Sequence, residues 1–216
     1  MYKQITNEDI IGKKKRNEEI KYGLFLARLQ PVHNAHLYVI DKALSECDAL
    51  LILVGSGNKF GSLRNPFTAE KRLEWLASAL SEREDYSRIA IDSIPDWAGE
   101  TRTETFSQWG HYLYYNAVSR MGQKKFTMYY CDEPEKVLCW FDGEVKDNIS
   151  FRFMERESVL EGMSSTRVRK ALERMEDEDI EYLEFALPKG VFQKREELSD
   201  LWRRVLSDPR EDFSMK

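Results

Sequence analysis

A chain of 216 residues, 42% hydrophobic and carrying five tryptophans, has enough apolar surface for one compact domain with a small terminal appendage. Its 33 basic and 38 acidic residues leave a net charge of −5, which argues against a general nucleic-acid binder while allowing a local basic pocket. Three cysteines without framework spacing (Cys47, Cys131, Cys139) point to a reducing, cytoplasmic setting, and no apolar run approaches the roughly 20 residues of a membrane span. Lys3, Asn7, Glu8 and Asp9 interrupt any hydrophobic signal core, so the expectation is a soluble intracellular protein with neither a membrane nor a nucleic-acid partner.

Residues 1–20 are polar, and the run Lys13-Lys14-Lys15-Arg16 is answered by Glu18-Glu19, the pattern of a solvated arm. From Tyr22 to Leu26 the chain is apolar, as in a strand buried on both faces, and a helical pattern follows from about Asn34 to Glu46. Between them lies Ala27-Arg28-Leu29-Gln30-Pro31-Val32-His33-Asn34-Ala35-His36, which holds two of the chain's three histidines. Their spacing puts both rings on one helical face, beside free backbone N–H groups and the positive end of the helix dipole. With Arg28 alongside, the arrangement suits a polyphosphate. The other readings are two ordinary surface histidines, or a metal pair lacking the third ligand that neither His111 nor Cys47 supplies by spacing.

Ala49 to Val54 is the clearest buried strand, closed by Gly55-Ser56-Gly57. Strand, helix, apolar strand predicts a parallel sheet whose ligands bind beyond the carboxyl ends of its strands. Pro66 and Thr68 announce a helix to about Ser81 that buries Leu73, Leu76, Ala77 and Leu80. A third strand, about Arg88 to Ile94, ends in Pro95-Asp96-Trp97; a helix from about Phe106 to Met121 carries Trp109. A fourth strand, Phe126–Tyr130, leads through Cys131-Asp132-Glu133-Pro134 into a helix to about Phe141. That helix is expected to be capped by the two carboxylates, with Cys139 and Trp140 packed beneath it. After a short fifth strand, Ser150–Phe153, the hydroxyls of Ser164, Ser165 and Thr166 open a helix bearing Arg167 and Arg169, a second cradle for phosphate. Charged sequence then gives Ile180–Leu187 and an amphipathic helix from about Val191 to Val205. The expected division is a polar arm (1–20), an α/β domain (21–175) and C-terminal helices (176–216).

The segment Arg28-Leu29-Gln30-Pro31-Val32-His33-Asn34-Ala35-His36 resembles the His-x-Gly-His signature of the nucleotidylyltransferase superfamily, in the form of the archaeal-type nicotinamide mononucleotide adenylyltransferases. It departs at Ala27 and Ala35, where that family has glycine, and at Leu29 and Val32, where it has larger aromatics. Arg64-Asn65-Pro66-Phe67-Thr68-Ala69 with Arg72 resembles the family's second block, and Ser164-Ser165-Thr166 with Arg169 its last, Met163 replacing isoleucine. Cys131 to Pro134 stands where the family has Ser-Gly-Asn-Pro.

The resemblance implies a Rossmann-like doubly wound five-stranded parallel sheet with a small C-terminal helical portion. It also implies an enzyme that joins ATP and nicotinamide or nicotinate mononucleotide into NAD or its deamido form, with magnesium carried on the ATP phosphates. His33 and His36 would contact those phosphates, and Arg28, Arg64 and Arg169 would hold the departing ones. Gln30, Gly55, Ser164, Ser165 and Thr166 would complete the ATP site. Asp96 and a tryptophan, Trp109 or Trp97, would shape the mononucleotide pocket. Alternatives are another small-molecule nucleotidylyltransferase, such as one using phosphopantetheine, or a nucleotide sensor without turnover. The oligomeric state stays open, a homo-oligomer included.

Overall fold

The computed structural model describes residues 19–96, 106–155 and 162–210. Trp97 and most of the polar arm, residues 1–18, lie outside them. The elements in order are β1 (Tyr22–Ala27), α1 (Asn34–Glu46), β2 (Ala49–Val54), α2 (Ala69–Leu80), a 3-10 turn (Tyr86–Arg88), β3 (Ile89–Ser93), α3 (Phe106–Met121) and β4 (Phe126–Tyr130). Then come α4 (Pro134–Leu138), α5 (Gly143–Asp147), β5 (Ile149–Phe153), α6 (Ser165–Arg174), α7 (Asp177–Ala186), α8 (Lys189–Phe192) and α9 (Arg195–Ser207).

The five strands form one parallel sheet in the order β3-β2-β1-β4-β5. Alternation along β1 and β2 decides what covers each face. Phe25, Leu50, Ile52 and Val54 face one core with Val39 and Ile40 of α1, Leu73, Trp75 and Leu76 of α2, and apolar residues of α6 to α9. Leu24, Ala49, Leu51 and Leu53 face the other, with Leu113 and Ala117 of α3, Val137 of α4 and Val145 of α5. Both faces being covered, the central strands carry continuous apolar runs. Chain order reverses at β1, whose neighbours are β2 and β4, and that switch point opens a crevice at the carboxyl edge.

Four expectations need correction. The helix after Pro134 was expected to reach Phe141, yet α4 ends at Leu138 and α5 begins at Gly143. The cause is a tertiary contact: the Trp140 carbonyl seats against Gly110 of α3 so closely that a Cβ there would lie 1.7 Å from the oxygen. Cys139 consequently faces outward rather than packing beneath the helix. Glu133 occupies the N-cap position of α4, but its carboxylate pairs with Lys136 at 2.9 Å instead of capping. The last amphipathic stretch divides into α8 and α9 at Gln193–Lys194, and Gly190 of α8 lodges close against Ser78 of α2. No described helix is long and apolar enough to cross a membrane.

Candidate functional site

A cavity of about 1020 Å³ opens at the carboxyl edge of the sheet, lined by residues that follow all five strands. Its floor over β1 is the exit loop from Ala27 to His33. His33 caps the start of α1 and is buried, and His36, one turn on, stacks its ring on that of His33 with centroids 3.7 Å apart. The His33 backbone N–H donates to Nδ1 of His36 at 3.2 Å. A neutral imidazole that accepts at Nδ1 carries its proton on Nε2, so His36 is set as a donor from its other nitrogen.

Met163 to Thr166, at the start of α6, line the same mouth. Ser164 caps α6 by accepting from the Arg167 N–H at 3.2 Å, leaving N–H groups of the first helical turn to face a ligand. Ser165 Oγ donates to Pro31 O at 3.1 Å, Arg169 Nη1 to Gln30 O at 2.7 Å, and the Ala35 N–H to the Met163 sulfur at 3.3 Å. Two motifs about 130 residues apart are thereby stitched into one wall. Arg169 also lies over the Trp202 ring, 5.3 Å from its centroid. Burial lowers the Arg169 pKa, and the nearby Arg28 charge lowers it further. Arg28, Arg64 and Arg169 all line the cavity, so its field is positive where the two helix N-termini meet.

Residues behind the wall hold it in shape. Gln30, 3% exposed, pairs both ends of its amide with the Phe67 backbone, donating to the carbonyl at 3.3 Å and accepting from the N–H at 3.0 Å. Its side chain braces the Arg64–Phe67 loop against the β1 exit, and Gln30 is also among the residues that line the cavity. Gly55 and Ser56 line the cavity at the end of β2. Asp96, also lining, accepts from the Ser56 N–H at 3.2 Å and hydroxyl at 2.8 Å and pairs with Lys59 at 3.1 Å. Arg72 of α2 is fully buried, and its guanidinium is spent on backbone carbonyls. Burial pushes its pKa down to about 10, with Asp96 opposing and Arg28 adding to the fall.

The remaining wall is aromatic. Trp109 of α3 meets Trp140 edge to face, with centroids 6.4 Å apart, and both line the cavity with Phe106 and Tyr130. Sequence reading singled out Trp109 but gave Trp140 only a packing role. Asp132, Glu135 and Lys136 share that side, contributed by the segment whose sequence departs most from the resembled family. Among the described residues no group of three or more His, Cys, Asp or Glu could hold a metal ion. The cationic set at the mouth is suited to phosphate oxygens.

Over 78 residues the chain is 43% identical to a nicotinamide-nucleotide adenylyltransferase of Thermococcus kodakarensis, covering 36% of this chain and 42% of the relative. Over 90 residues it is 41% identical to the enzyme of that name from Saccharolobus solfataricus, covering 38% and 52%. These matches thus span 42% and 52% of the relatives' own length, about half at most. In structure the chain is similar to a bifunctional NMN adenylyltransferase/ADP ribose pyrophosphatase of Francisella tularensis complexed with AMP and a manganese ion. The TM-score is 0.68 at 15% identity, over 88% of this chain and 53% of that one, a likeness of fold. The family model described as cytidylyltransferase-like matches residues 24–171, from β1 through the first turns of α6, and so takes in both His33–His36 and Ser164–Arg169. The chain belongs to the cytidylyltransferase-like family.

Proposed function

We propose that this chain is an adenylyltransferase that joins ATP to nicotinamide or nicotinate mononucleotide, giving the dinucleotide and pyrophosphate. The observation that carries the reading is the convergence in one cavity of Arg28, His33, His36, Arg64 and Arg169 with the N-termini of α1 and α6. The names of the curated relatives supply the acceptor.

In this reading an oxygen of the mononucleotide 5′-phosphate attacks the α-phosphorus of ATP. The bond from that phosphorus to the bridging oxygen breaks, and pyrophosphate leaves with the electron pair. The attacking phosphate is already an anion at neutral pH, so the protein has to align the groups and neutralise charge rather than remove a proton. His36, donating from Nε2, and His33 would face the transferred group. Arg28, Arg64 and Arg169 would hold the departing phosphates, with N–H groups of Ser164 to Thr166 beside them. Magnesium enters as part of the substrate, on the ATP phosphates. Trp109, backed by Trp140, offers a face to the pyridinium ring, with Asp96 bounding that end of the pocket. Residues 21–175 would form the transferring unit, and the helices after 176 its support.

The test is pyrophosphate release from ATP and magnesium in parallel with nicotinamide mononucleotide, nicotinate mononucleotide and phosphopantetheine. Rapid release with a pyridine nucleotide is expected. Release with phosphopantetheine alone would assign a different acceptor, and ATP binding without release would make the chain a sensor.

A further inference from the structure

Arg72 stands behind the cavity wall, yet its one guanidinium bonds to three of the segments that shape it. Nη1 donates to Arg28 O and to Gly55 O, both at 2.7 Å, Nη2 to Ser56 O at 3.0 Å, and Nε to Thr68 O at 3.2 Å. These acceptors sit at the exits of β1 and β2 and at the cap of α2. Two of them adjoin or occupy strained backbone: Leu29, which follows Arg28, and Ser56 both have φ of 52°. The third described non-glycine residue with positive φ is Met175, at the end of α6. Left-handed φ is costly for residues with a Cβ and persists where surrounding contacts over-determine it. Ser56 in turn fixes Asp96 through its N–H and hydroxyl, so the clamp extends to the exit of β3.

The arrangement is expensive for a core position. A full charge is buried with backbone carbonyls as its hydrogen-bond acceptors, where an apolar side chain of like volume would serve packing as well or better. Its use is geometric: a planar fork reaches several carbonyls at once, which the single ammonium of lysine cannot match. We propose that Arg72 is a positioning residue of the transfer site. It holds the left-handed turns at Leu29 and Ser56 so that Arg28 and the Gly55–Ser56 loop meet the nucleotide in one fixed geometry. The kinetic part of this inference rests on the adenylyl transfer proposed above; the clamp itself does not.

Two kinds of measurement on Arg72→Lys and Arg72→Ala separate those parts. Amide exchange at Gly55 and Gly57, whose N–H groups bond Ala27 O and Ile94 O, should quicken at least tenfold in Arg72→Lys while the β1–β4 ladder keeps its protection. Turnover should fall about 10²-fold with the ATP KM little changed, the expected cost of misplacing groups by an ångström. Dilute guanidinium, far below unfolding concentrations, should restore part of kcat to Arg72→Ala by refilling the fork's place, and should do nothing for wild type. Unchanged exchange in a folded Arg72→Lys overturns the clamp whatever the activity. Wild-type kcat in that variant, or a kcat loss that merely follows lost thermal stability in both variants without rescue, overturns the positioning role. A wild-type chain with no turnover would remove the proposed reaction instead, leaving exchange to decide the clamp.

Discussion

His36 shows how one side chain is prepared by its neighbours. Its ring is stacked on buried His33, and its Nδ1 is taken by the His33 N–H, so orientation and tautomer are both set before any ligand arrives. Removing one such donor from a site that stabilises developing charge typically costs about 10²–10³ in rate. We therefore expect His36→Ala to lose that much kcat while circular dichroism and Tm stay near wild type; a folded variant with full turnover would remove His36 from the chemistry. The histidine pair was legible in the sequence because its geometry is local: three residues and a helix start determine it. Gln30 and Arg72 were not legible in the same way. The partner of Gln30 is the Phe67 backbone, 37 residues on, and the site carbonyls bound by Arg72 lie 16, 17 and 44 residues away. Backbone acceptors leave no trace in the residue types that supply them.

At the scale of elements, apolar period and cap residues gave the strands and the helices α1, α2, α3 and α6 with little error, since each carries its own start signal or buried face. Where packing rather than pattern ends a helix, the sequence misleads, and the break between α4 and α5 is the instance. Gly110 is what admits the Trp140 carbonyl to α3, and this contact sets the Trp109–Trp140 wall. Gly110→Ala must push the two segments apart, at a cost of at least about 1–3 kcal/mol. The expected result is a lower Tm and a raised KM for the mononucleotide with the ATP KM spared, which steady-state kinetics would read. Helix α7 offers a pH test. The Asp179 carboxylate, bonded by Arg174 and by the Glu176 N–H, is held below its ordinary 3.8. Its depressed pKa means the folded chain binds that proton more weakly than the unfolded one. The stabilisation is thus complete above that ordinary value and is lost as pH falls through the lower, folded one. Asp179→Asn should lower Tm at neutral pH and flatten the acid side of the Tm profile.

Over the whole molecule, the site is made by the sheet's switch point and kept by what packs behind it. The helices after α6 share the core of α1 and α2: Leu183, Leu187, Val191, Leu198 and Trp202 join Leu73 and Leu76 in one cluster. Lys71 of α2 bonds Glu197 of α9, and Lys194 bonds Glu74, tying the same two layers at the surface. Trp202 is where this support touches the cavity lining. Its ring lies under Arg169, whose guanidinium reaches back to Gln30 O, so a residue near the C-terminus is two contacts from the β1 exit loop. Truncating a buried tryptophan costs about 3–5 kcal/mol, and here it would also remove the surface against which Arg169 is held. Trp202→Ala should therefore lose turnover beyond what its fall in Tm explains, when assayed well below its melting temperature. Trp202→Phe, which keeps an aromatic face, should recover most of the turnover and only part of the stability. Equal recovery of both would mean that Trp202 serves the core alone and that Arg169 is placed by α6 without help from α9.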